Sequence, residues 1–195
     1  MMGEILIDGT GGRWPAKIDS ENHLHTTATI ESMMGHRSHY DATAFGVTTP
    51  RLTITTTGGR ILYLKNTSSS HDLVISNFWF GWNGGSTNFD RSLYGILYFG
   101  DAAPSGNNTA SAMGVLNRKT NNSADVTVQY WDEVGDGMTC TGGTAAFYWV
   151  QDKGHNHVDV QSAVILGIND TMAVNLQAEE AGEATINMFG FMRES

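Results

Sequence analysis

The stretch Asp72-Leu-Val-Ile-Ser-Asn-Phe-Trp-Phe-Gly-Trp82 decides the fold of this chain. β-Branched residues lead into a run of large aromatics. In an extended backbone, Val74, Phe78, Phe80 and Trp82 point one way and Leu73, Ile75 and Trp79 the other, because side chains alternate with period two. Both faces are apolar, which predicts a strand covered on both sides. Ser76, Asn77 and Gly81 spoil a helix here, and aromatics favour the pleat. Such a strand needs neighbours in its own sheet and a second layer to pack on. The expectation is an all-β protein, an antiparallel β-sandwich.

Moving outward, strand candidates recur on both sides. Upstream lie residues 45–48, 51–56 and 60–65, the last two separated by Gly58-Gly59, a hairpin-type break. Asn66-Thr-Ser-Ser-Ser70 reads as a turn into the central run. Downstream, residues 92–99 read as a strand apolar on both faces, and 100–122 as mostly loop, with a short segment of either type at 111–117. Val126, Val128 and Tyr130 alternate inward. Residues 135–143 form a glycine-rich loop, and 145–150 read as a buried strand. Residues 162–166, 171–177 (Met172, Val174 and Leu176 on one face) and 184–192 close the chain. About eight strong strands follow residue 44, with no strand–helix alternation. A jelly-roll-like sandwich over 46–195 is the expected body.

Residues 1–45 differ. Short extended runs are broken by Gly9-Thr-Gly-Gly12 and Trp14-Pro15, and the faces of 24–30 are only thinly apolar. Two roles fit: an extended N-terminal arm lying on a neighbouring subunit, or edge strands of the chain's own domain. As an arm, it would offer Trp14, Ile18, Leu24, Ile30, Met33 and Met34 as interface residues.

Composition bounds function. Of the 195 residues, 40% are apolar and only 16% charged, with 8 Phe, 6 Tyr and 5 Trp. That much aromatic surface argues against disorder. The net charge of −9 and the lack of a basic patch disfavour nucleic-acid binding. No stretch approaches the roughly 18–20 apolar residues of a membrane helix, and the N-terminus lacks a signal-peptide pattern. Cys140 is the single cysteine, which suits folding in a reducing cytoplasm.

Sites of chemistry are sparse. His23-Leu-His25 and His155-Asn-His157 could begin a metal site, with His36 and His39 nearby, but neither carries the glutamate spacing of the cupin enzymes. Surface or interface histidines are the expectation, with no bound metal and no cofactor. A metal-dependent jelly-roll enzyme using His155 and His157 remains a third hypothesis. Asp132, Glu133 and Asp136 read as a solvated acidic turn, since no Glu closes a calcium loop. Gly9-Thr-Gly-Gly12 lacks the helix and Lys-Ser/Thr of a phosphate loop. No nucleophile elbow is present, and nothing local activates Cys140. Of the five tryptophans, Trp79, Trp82 and Trp149 are expected in the core. Trp14 and Trp131 are expected to be exposed, available to a sugar or another subunit.

The opening Gly9-Thr-Gly-Gly-Arg-Trp-Pro-Ala-Lys-Ile-Asp-Ser-Glu-Asn-His-Leu24 resembles the start of tailed-phage virion structural proteins. The strand-like runs 61–67 and 72–75, residues 164–174 and the closing Ile186-Asn-Met-Phe-Gly-Phe191 are similar to the same group. The resemblance implies a capsid decoration, or cement, protein on the outside of the phage head. It further implies a homotrimer, contact with the major capsid protein, and no enzymatic activity. The alternative is a carbohydrate-binding or host-recognition module of a fibre or tail component.

Overall fold

The computed structural model describes residues 17–18, 24–25, 44–84, 92–105, 111–113, 116–117, 124–131, 140–152 and 154–194. The chain divides into two compact units, Met1–Ser32 and Met33–Ser195. In the first, β1 (Lys17–Ile18) pairs antiparallel with β2 (Leu24–His25), setting Ile18 opposite Leu24.

The second unit is all strand among its described residues. In chain order it holds β3 (Ala44–Thr48), β4 (Leu52–Ile54), β5 (Gly59–Asn66), β6 (His71–Gly84), β7 (Leu93–Phe99), β8 (Ser111–Met113) and β9 (Leu116–Asn117). Then come β10 (Val126–Tyr130), β11 (Thr144–Gln151), β12 (Gly154–Leu166), β13 (Thr171–Ala178) and β14 (Gly182–Glu194). Two antiparallel sheets result, ordered β12-β6-β14-β3-β9 and β11-β7-β13-β5-β10-β8, with β4 attached to β14.

Eight of these strands follow a nested rule. Taking β3, β5, β6, β7, β11, β12, β13 and β14 as first to eighth, the first pairs with the eighth and the second with the seventh. The third pairs with the sixth and the fourth with the fifth. A folded-over ribbon wound this way is a jelly roll, and the sandwich expected from the strand spacing is the observed fold.

The central stretch keeps its place. β6 lies between β12 and β14 over thirteen residues of register with β14. Its faces, however, are not the two continuous ones that strict alternation gives. Ser76 is an extra residue: Asn77 pairs with Phe189 and Ile75 with Gly190. This β-bulge flips the alternation. Leu73 and Ile75 before it, and Phe78, Phe80 and Trp82 after it, all join one core, each at most 2% exposed. Val74 falls on the other face, in a small cluster with Ala44 and Phe191. Trp79 also falls there and is 47% exposed. The strand is therefore covered by a full second layer on one face only.

Three other expectations are corrected. Gly58-Gly59 does not turn a hairpin, because β4 pairs in the sheet of β14 and β5 in the opposite sheet. The chain changes layers there. Strand β7 buries Leu93, Gly95 and Leu97 but exposes Tyr94, so one face meets the core. Strand β11 is an edge strand, not a buried one. Trp149 and Gln151 point inward, whereas Tyr148 is 66% and Val150 58% exposed. Trp149 is admitted by Gly95 directly opposite: a Cβ on Gly95 would lie 2.0 Å from the indole. The ring fills that space and packs on Phe80, centroids 4.6 Å apart.

Candidate interaction surface

The densest polar grouping sits where β7 ends. Gly100, at φ +80, turns the chain so that Asp101 lands against the sheet, 2% exposed. The Arg60 guanidinium donates from Nε to Oδ2 at 3.3 Å and from Nη2 to Oδ1 at 3.5 Å. The same guanidinium lies 3.6 Å over the Tyr98 ring, a cation–π contact. The Gly143 amide donates to Asp101 Oδ1 at 2.9 Å, and Thr171 Oγ1 donates to the Asp101 carbonyl at 2.7 Å. A side chain at 143 would collide with the carboxylate, since a Cβ there would stand 2.3 Å from Oδ1.

Cys140 is 7% exposed beside this pair. Its thiol is pushed up to about 12, first by burial and then by the Asp101 charge, with Arg60 pulling the other way. A thiol held protonated is a poor nucleophile and a poor metal ligand. Tyr63 is raised too, by burial first and then by Cys140 and Asp101. The Asp101 carboxylate is held by Arg60 Nε and Nη2 and by the Gly143 amide. The grouping is a strut that pins residues 140–143 to the sheet.

A second hub is Asn66, wholly buried at the end of β5. Its Nδ2 faces the carbonyls of His71, Leu166 and Gly167 at 2.8, 3.0 and 3.1 Å, and its Oδ1 accepts from the Ser68 amide at 3.0 Å. It ties the β5–β6 turn to the β12–β13 turn, where Asn169 sits at φ 65.

Among the described residues, several large apolar side chains are exposed on outer faces. Tyr148, Val150, Trp79, Ile165, Ile168, Tyr94 and Phe147 are the large ones, from 66% exposed at Tyr148 to 39% at Tyr94 and Phe147. Tyr94 donates its hydroxyl to Glu179 at 2.7 Å, which raises its pKa. The tryptophan assignments are corrected at two positions. Trp131 is 5% exposed and belongs to the core; it directly follows β10 and its amide donates to the Ile61 carbonyl at 3.0 Å. Trp79, expected in the core, was moved outward by the bulge at Ser76. Trp82 and Trp149 are buried as expected.

Other sequence candidates are not brought together. Ile18 and Leu24 are register partners in the β1–β2 pair. Trp14, Ile30, Met33 and Met34 lie outside the described residues, as do His23, His36, His39 and the acidic turn at 132–136. His155 and His157 sit at register positions opposite Gly81 and Trp79. Among the described residues, no three His, Cys, Asp or Glu side chains group to hold a metal ion. No described helix is long and apolar enough to cross a membrane, which says nothing of strand-built spans. Sequence inspection missed Arg60, Asp101 and Asn66 as hubs. The only local hint was a glycine stop directly before Asp101. No family model, no curated protein and no solved structure matches this chain.

Proposed function

We propose that this chain is a structural subunit of a tailed-phage particle, a decoration protein that binds the outside of the head through protein–protein contacts. One observation carries the reading: a jelly-roll body whose two buried polar hubs, Arg60–Asp101 and Asn66, bond within the fold, with large apolar side chains exposed on outer faces. Jelly rolls build many viral shells, though fold alone fixes no function. The resemblance at both ends of the chain and in its middle supplies the particle. In this reading the chain is no enzyme and needs no cofactor. Residues 1–45 grip a neighbour or the major capsid protein, and the free subunit is a homotrimer at the virion surface.

The test uses purified heads stripped of, or assembled without, decoration. Mixed with the protein and pelleted, such heads should carry it at saturating stoichiometry and rupture at a higher temperature. Light scattering should give three times the 21.1 kDa chain mass. A chain that neither pellets with heads nor raises their rupture temperature refutes the assignment. Host recognition through a glycan would instead use Trp79, the one described indole standing well out of the surface. Glycan-array binding abolished by Trp79→Ala would favour that role.

A further inference from the structure

We propose that the outer edge of β11, beside which no described strand lies, is a self-association site, where a second copy of this chain adds its own β11 antiparallel across a two-fold axis. Exposed strand edges carry unpaired N–H and C=O groups, and proteins usually blunt them with shortness, charge or irregularity. Three of the four outer strands of the two sheets are blunted. β8 has three residues and β9 two. β12 carries Asp159 and loses register with β6 between Asp159 and Val164.

β11 is different. Its eight residues, Thr-Ala-Ala-Phe-Tyr-Trp-Val-Gln, include no charge, no proline and no glycine. A bulge after Ala145 leaves residues 147–151 in regular register with β7. No described strand lies on the other side. Along this run Tyr148 and Val150 stand 66% and 58% exposed on the outer face. A two-fold axis at Trp149 would set each Tyr148 beside the partner's Val150 position. An aromatic next to a β-branched residue is a favourable cross-strand pair.

Charge selects the occupant. The chain carries −9, so two copies repel wherever their acidic surfaces meet. β11 itself carries no charged residue; on its neighbour β7, Tyr94 bonds to Glu179 and Tyr98 lies under Arg60, so charge stands beside the edge and not on it. A partner recruited by charge finds nothing to pair with on β11 itself. An identical strand finds a matching ladder, because a two-fold contact requires only that one patch complement itself. The contact is small and belongs to the weak class, so it should build up with concentration. It goes beyond the shell-binding assignment and concerns the free protein, joining two bodies or two trimers.

Sedimentation velocity of the full chain, from roughly 1 to 500 micromolar, tests it. The particle mass should double across that range. Tyr148→Lys and Val150→Lys, at exposed positions that leave the core untouched, should each weaken association at least about tenfold, because each would set a charge against the partner's apolar side chain in place of the aromatic–β-branched pair. Ile165→Lys, exposed on the other sheet, should leave it unchanged. Hydrogen exchange of amides 147–151 should slow as the protein is concentrated. A mass that stays constant over the whole range overturns the proposal. So does a doubling that survives both β11 substitutions while circular dichroism shows both variants folded. Failure to bind heads would leave this result standing, so the two ideas fail separately.

Discussion

Replacing Asn66 should cost more than any other single polar change in the body. Its amide group has two N–H bonds facing three carbonyls, at 2.8, 3.0 and 3.1 Å, and its oxygen takes the Ser68 amide. That amounts to about three full hydrogen bonds at a site with 0% exposure. A satisfied bond contributes about 1 kcal/mol net, and orphaning a buried partner costs about 1–3. Asn66→Ala should therefore lose about 3–5 kcal/mol, a large part of the roughly 5–15 kcal/mol available to a domain. Urea denaturation followed by tryptophan fluorescence measures it, as a lower midpoint at unchanged m.

Asn66→Asp sharpens the test, because it keeps the shape and removes both donors. Burial and three carbonyl dipoles would raise the new carboxyl's folded pKa above its unfolded value of about 3.9. A raised folded pKa means stability present below the unfolded pKa and lost as pH rises through the folded one. The stability gap to the wild-type chain should thus be smaller at pH 4 than at pH 7. The two turns should also loosen together, with faster exchange at the Ser68, Asn169 and Asp170 amides. A loss under about 1 kcal/mol for Asn66→Ala, or a gap independent of pH for Asn66→Asp, refutes the assignment of Asn66 as the clamp.

Three further outcomes follow from the packing. Gly95→Ala should cost at least about 2–3 kcal/mol and quench or shift Trp149 emission, because the indole occupies the place of the new methyl. Trp131→Ser should destabilise by about 3–5 kcal/mol while Trp79→Ser stays within about 0.5, a contrast in denaturation midpoints that checks which indole is buried. The Cys140 thiol, raised from 9.0 to about 12, lets the unfolded chain ionise first. Stability should be complete below pH 9 and fall between pH 9 and 12 by up to about 1.4 kcal/mol per pH unit. Cys140→Ala should flatten that fall, leaving the part due to Tyr63, whose pKa is also raised.

How much of this was legible in the sequence depends on the range of the cause. Strand positions were legible because period-two burial is local: Met172, Val174 and Leu176, or Val126 and Val128, can be paired with their face by inspection. The layer change at Gly58-Gly59 was not, since a hairpin and a crossover use the same turn residues and differ only in which distant strand receives β5. The edge position of β11 was hidden for a related reason. Its sequence is as apolar as a central strand, and only the order of the sheet leaves Tyr148 and Val150 in the open. Asn66 read as a turn residue because its three acceptors include two about a hundred positions away.

The bulge at Ser76 shows how a single extra residue couples core and surface. Without it, a strict alternation would place Leu73 and Ile75 on the face opposite Phe78, Phe80 and Trp82, and the core would lose one group or the other. Moving either group to the surface forfeits roughly 1.5–3 kcal/mol per large side chain, so the register is strongly enforced. Nor can β6 drop the residue alone, because β14 keeps Phe189 opposite Asn77 and Gly190 opposite Ile75. Gly190 is tight at that crossing, where a Cβ would meet the Val74 carbonyl at 2.4 Å and the Phe45 ring at 2.5 Å. The same kink that unites the core sends Trp79 to the outer face. An apolar stretch that demanded two covers is thus satisfied by one, and the half-exposed Trp79 indole is the consequence of the same kink.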